Sequence, residues 1–176
     1  MKKRDWIDIA LRYSILLIIG IIGNQFFYSI FSYITIQPVF LLLSIFYNPA
    51  LISSVIVINS LPLEIIGACV AGSAYYLLLI LNLSVPNIKF LKRVYILLFS
   101  FALLLIVNIL RIFLLSVLYV NQWPFFDITH ELFWYAGSIL FVVGIWFLSV
   151  YLFKIKEIPF YSDIKNILGL RRKRKK

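Results

Sequence analysis

Cysteine and histidine each occur once, as Cys69 and His130, and charged residues make up only 14% of the 176 positions. A single cysteine excludes an intramolecular disulfide, and one cysteine with one histidine supplies too few soft ligands for a structural zinc site. Neither a metal nor a cofactor is expected. The shortage of charge excludes more. An ordinary soluble domain is about half apolar and about a quarter charged, whereas this chain is 63% hydrophobic with a mean hydropathy of +1.01. That balance rules out a water-soluble fold. Charge-free runs cover Tyr13 to Leu63, Ile65 to Ile88, Val94 to Leu110, Ile112 to Phe126 and Leu132 to Phe153. With about 20 apolar residues needed per crossing, the sequence describes a small polytopic membrane protein.

The 17 Lys and Arg outnumber the 7 Asp and Glu, for a net charge of +10. Their positions argue against nucleic acid as a partner. Lys2, Lys3, Arg4 and Arg12 precede the first apolar run, Lys89, Lys92 and Arg93 share one connection, and every other basic residue except Arg111 follows Phe153. Cationic loops stay on the cytoplasmic side, so both termini and the loop around residues 83 to 93 are expected there. The block Arg171 to Lys176 serves either as a solvated topogenic tail or as a grip on anionic headgroups.

Parity then gives an all-α transmembrane bundle with four full spans: Tyr13 to Tyr33, Pro62 to Leu83, Val94 to Val120 and Glu131 to Phe153. The intervening stretch Ile34 to Leu61, interrupted at Gln37-Pro38 and Asn48-Pro49, is expected to form a re-entrant or interfacial pair of helical segments on the outer side. Non-helical backbone at such depth is tolerated only where protein shields it. One bundle domain covers residues 1–153, followed by a basic cytoplasmic tail over 154–176. The first apolar run is too long for a cleaved signal and lacks a small-residue cleavage site. Asn121 to Thr129 is an external connection, and Trp123, Trp134 and Tyr135 suit the aromatic belt of a cell membrane.

Polar residues inside such runs are costly, so they face the protein interior or a water-filled cavity and have partners. Arg111 is nine residues from the outer end of its span, roughly 13 Å at the helical rise. Asn108 lies three residues earlier on the same face, where it is expected to orient the guanidinium. The plainer alternative is that Arg111 snorkels to external headgroups. Cys69 falls about 10 Å below the outer surface by the same rise, among small residues, Gly67-Ala68-Cys69-Val70-Ala71-Gly72. Ala68 and Gly72 form a pair that permits close helix approach and leaves room for a substrate backbone; simple packing by the cysteine is the competing role. Glu64 is expected either to pair with Arg111 or to sit at the positive start of its helix. His130 opens the last span at the outer interface, the one side chain suited to proton transfer near neutral pH.

Three spans thus bring a thiol, a guanidinium and an imidazole toward the external face, a set suited to thiol acyl transfer. A nearby cation favours the thiolate nucleophile, His130 is the candidate proton carrier, and Arg111 is the candidate donor to a tetrahedral oxyanion. On Ala68-Cys69-Val70-Ala71-Gly72, Asn108-Ile109-Leu110-Arg111 and His130, the region from about 60 to 145 resembles the exosortase/archaeosortase family of membrane-embedded cysteine transpeptidases. The resemblance implies Cys69 as nucleophile, with Arg111 and His130 completing the catalytic set; Asn108, Glu64 and Gly72 are expected, from their positions, to support the site or bind substrate. It also implies exported proteins with a C-terminal sorting signal as substrates, cut on the extracytoplasmic side and passed to an acceptor such as a membrane lipid. Commonly described members are longer, and the 34–61 region has no assigned counterpart in them. Two other readings remain: a non-enzymatic subunit of a transporter or assembly complex, and, more remotely, a serine protease using Ser73 with His130.

Overall fold

Three apolar stretches form helices long enough to cross a membrane, Gln25–Ser44, Phe90–Val120 and Phe126–Leu152, with shorter apolar helices at Ile9–Ile22 and Gly72–Leu83. The computed structural model describes residues 3–22, 24–155, 157 and 159; nearly all of the expected basic tail lies outside the described residues. In chain order the elements are α1 (Lys3–Ile22), α2 (Asn24–Ser44), β1 (Ala50–Ile52), β2 (Val55–Ile58), β3 (Leu61–Glu64), α3 (Gly72–Leu83), α4 (Phe90–Val120), α5 (Phe126–Leu132) and α6 (Ser138–Leu152). Residues Phe133–Gly137 join α5 to α6 as a π-helical turn.

The region expected to hold a helical pair departs most from the sequence reading, and the fold is mostly rather than wholly helical. Pro38 sits inside α2 without ending it; a proline removes one backbone donor, but neighbouring elements can re-satisfy a membrane helix. Beyond Asn48-Pro49 the chain builds an antiparallel sheet in the order β1-β2-β3. Val55-Ile56-Val57-Ile58 is a run of β-branched residues suited to a pleated surface, and its alternate members Ile56 and Ile58 are fully buried. Ser53-Ser54 and Asn59-Ser60 make the two turns, with positive φ at Ser53, Asn59 and Ser60, the conformation that two-residue hairpins require.

Two other helical extents also differ. The stretch Pro62 to Leu83, expected as one spanning helix, is strand to Glu64, turn through Gly67–Ala71 and helix only over the 12 residues Gly72–Leu83. That helix is about 18 Å long. The expected first span, Tyr13 to Tyr33, is divided between α1 and α2.

An aromatic cluster joins α2, α3 and α4: Phe31 stacks on Tyr75 at 3.9 Å, and Phe101 meets Tyr75 edge-on at 5.3 Å. Tyr76 donates to the Leu16 carbonyl at 2.9 Å. Gly20 permits this approach, since a Cβ there would lie 2.6 Å from the Tyr76 hydroxyl. The C-terminal end of α3 receives two buried guanidinium groups. Arg12 donates to Leu83 O at 2.7 Å, while Arg93 donates to Asn82 O at 2.8 Å, Leu83 O at 3.3 Å and Val85 O at 2.9 Å. These cations satisfy terminal carbonyls and complement the negative end of the helix dipole. At the opposite end of the bundle, Asn121 donates to the Tyr47 hydroxyl at 3.1 Å, joining the ends of α2 and α4.

Candidate functional site

The loop between β3 and α3 carries Cys69. Its turns are closed by Cys69 N–H donating to Ile66 O at 2.9 Å and Ala71 N–H donating to Ala68 O at 3.3 Å. Ala71 then adopts a left-handed conformation, φ 59°, and its carbonyl accepts the first bonds of α3 from Ala74 and Tyr75. Gly72 opens the helix and is buried. Cys69 is therefore half-buried in a loop, not on the face of a spanning helix.

Two α4 side chains reach this loop. Asn108, 3% exposed, donates from Nδ2 to the Cys69 carbonyl at 2.8 Å. It was expected to orient Arg111; instead it fastens the main chain of the thiol loop. Arg111, one turn further along α4, donates from Nη1 to Ser138 Oγ at 3.2 Å and interacts electrostatically with Cys69. Its Nε is buried with no hydrogen-bond partner among the described residues. The guanidinium is thus tied across to α6, which disfavours the snorkelling alternative.

Ser138 is a site contact that the sequence reading missed. Its hydroxyl donates in turn to Phe133 O at 3.3 Å, five residues back, across the π turn. Such turns are rare and concentrate at functional sites. Ala71, Ala74, Asn108, Arg111, Ser138 and Phe141 help to enclose a cavity of about 10 Å³, at the lower limit for holding one water.

Glu64 ends β3, is exposed and interacts electrostatically with Cys69. It makes no ion pair with Arg111 among the described residues, and no side chain hydrogen-bonds the start of α3.

His130 lies on α5, stacked on Phe126 at 5.6 Å and edge-on to Trp134 at 5.8 Å; it makes no hydrogen bond to Cys69 or Arg111 among the described residues. Eight residues separate it from Ser138, which corresponds to roughly 12 Å along the helix axis. The structure therefore brings Asn108 and Arg111 to the Cys69 loop, while His130 packs among the aromatic side chains of its own segment. Ser73 is exposed. Among the described residues, no group of three or more His, Cys, Asp and Glu is placed to hold a metal ion.

The arrangement places a thiol on a loop fastened by Asn108, with the Arg111 guanidinium lining a cavity beside the same loop. The chain matches no protein-family model, no curated protein and no solved structure.

Proposed function

We propose that this chain is a membrane-embedded thiol acyltransferase resembling the exosortases and archaeosortases, cleaving C-terminal sorting signals of exported proteins and passing the new carboxyl end to an acceptor. The observation that carries the reading is the convergence on one loop of Asn108, bonded to Cys69 O at 2.8 Å, and Arg111, which lines a small cavity with Ala71 of the same loop. In the reaction, the Cys69 thiolate forms a bond to the scissile carbonyl carbon. The carbon–nitrogen bond then breaks, the leaving amine takes a proton, and a thioester remains. An acceptor amine, hydroxyl or water attacks that thioester and releases the thiolate. Arg111 is the donor on hand for the developing oxyanion. His130 delivers or removes the proton through water or the bound substrate, since direct transfer requires about 2.6 to 3.2 Å between heavy atoms.

The topology that goes with this function has four crossings and both ends in the cytoplasm. Arg12, Leu83 and Arg93 meet at one end of the bundle, and Tyr47 meets Asn121 at the other. These pairings support α1 and α2 acting together as one ascending crossing and α3 with its preceding loop as the short return. The thiol then faces the extracytoplasmic half.

A second reading, a non-enzymatic membrane subunit, is favoured by one observation: Asn108 bonds the backbone of Cys69, as interhelical glue would. Co-expression with an exported protein bearing a C-terminal apolar segment and basic tail separates them. Wild type should shorten that protein and Cys69→Ala should not. Equal shortening by both would leave the subunit reading standing.

A further inference from the structure

One side of α2 gathers several uncharged polar side chains. Tyr28, Ser32 and Ile36 follow each other at four-residue intervals, with Tyr33 and Gln37 beside them, so all lie on one side. Opposite them is the β1–β2 turn, Ser53-Ser54. Together these residues line an open groove of about 230 Å³. Six of its side chains, Tyr28, Ser32, Tyr33, Gln37, Ser53 and Ser54, are uncharged hydrogen-bonding groups, and none has a side-chain hydrogen-bond partner among the described residues.

Such a concentration is unexpected on a helix apolar enough to cross a membrane, where unpartnered polar groups are costly unless they face a polar occupant. The groove also borders the thiol loop. A Cβ placed on Gly67, two residues before Cys69, would touch the Tyr28 ring at 3.7 Å. From Tyr28 to Gln37 the helix rises roughly 13 Å, a length matched by about four residues of extended chain.

We propose that this groove is the subsite for the substrate's recognition segment, selecting uncharged residues with hydrogen-bonding side chains within about four positions of the scissile bond. The proposal rests on the acyl-transfer reading above. The groove side chains supply both donors and acceptors to a peptide. None is charged, so a buried Asp or Lys side chain of the substrate finds no counter-ion there. A carboxylate, ammonium or phosphate is selected against on the same ground.

The test uses the full chain in lipid nanodiscs and a set of tetrapeptide aldehydes, whose carbonyl carbon adds the Cys69 sulfur while its oxygen takes a proton. The readout is the aldehyde concentration that halves maleimide labelling of Cys69. Peptides carrying Ser, Thr, Asn or Gln should protect at concentrations about tenfold lower than those carrying Asp or Lys at the same positions. In Ser32→Ala/Gln37→Leu that preference should fall below about threefold, with propanal protection unchanged. Discrimination that is absent in the wild type, or equal in the double variant, overturns the groove assignment while leaving the reactive thiol in place. Protection by nanodiscs containing a neutral monoglycosyl diacylglycerol, stronger than by any peptide, would give the groove to a sugar headgroup instead. A Cys69 that reacts with maleimide but with no carbonyl probe overturns the acyl-transfer reading and this inference with it.

Discussion

The side-chain amide of Asn108 donates to the carbonyl of Cys69 at 2.8 Å, across 39 residues of sequence. The thiol loop is therefore held by its main chain. Asn108→Leu removes the donor and leaves a carbonyl short of that partner, a loss of about 1 to 2 kcal/mol. The loop should loosen before the bundle does. Maleimide labelling of Cys69 is expected to accelerate several-fold in this variant, with a modest drop in the thermal midpoint in detergent. Unchanged labelling would mean that the turn bonds alone fix the loop.

The charges around the sulfur make a signed prediction about pH. Arg111 and Glu64 bring charges of opposite sign to bear on the thiol. Replacing Arg111 with Gln should move the pH profile of Cys69 alkylation to higher pH, because the thiolate loses its cation. Glu64→Gln should move the profile the other way. Alkylation rates measured across neutral to alkaline pH check both, and two shifts of the same sign would contradict the arrangement.

Arg93 donates to three carbonyls at the end of α3, with distances of 2.8, 3.3 and 2.9 Å. Charge-assisted bonds to buried acceptors are strong, so Arg93→Met should destabilise the bundle by about 3 kcal/mol. Arg93→Lys should recover only part of this, since an ammonium cannot reproduce the planar fork. Chemical unfolding in mixed micelles gives the comparison.

His130 is stacked on Phe126 and edge-on to Trp134, so His130→Ala should leave the Cys69 alkylation profile where it is. Turnover should fall less than in Arg111→Lys, because water can replace a proton carrier that bonds neither side chain more readily than lysine replaces a positioned guanidinium. If a titrating group vanishes from the turnover profile of His130→Ala, the imidazole carries the proton.

What the sequence made legible follows its strongest physical signals. Long apolar runs specified α4 and the α5–α6 segment, and the lone intramembrane charge led to Arg111 and Cys69, whose interaction joins α4 to the thiol loop. The sheet was present in the letters as well: Val55-Ile56-Val57-Ile58 lies between Ser53-Ser54 and Asn59-Ser60, a hairpin pattern submerged in surrounding hydrophobicity. Periodicity failed there because a short fully apolar run fits strand and helix alike. Arg12 and Arg93 count toward the topogenic charge, yet both are buried against α3; charge counting bears on the side of the membrane and says nothing of hydrogen bonds. Ser138 gave no motif at all, because its position depends on a π turn that composition does not encode.

That π turn is where the last helical segment tolerates a change of chain length. A wider turn stores a surplus residue between Phe133 and Gly137, so excising one residue there would let ordinary α winding resume with the chain beyond at nearly its present azimuth. Ser138 would then stand four residues from Phe133 instead of five, still facing Arg111, and Ser149 would keep the 2.9 Å contact it makes with Ser100 on α4. Excision from the regular winding of α6 would instead swing everything beyond it by roughly 100° about the helix axis. The segment works as a splice: it takes up one residue between the aromatic end holding His130 and the remainder that serves the arginine.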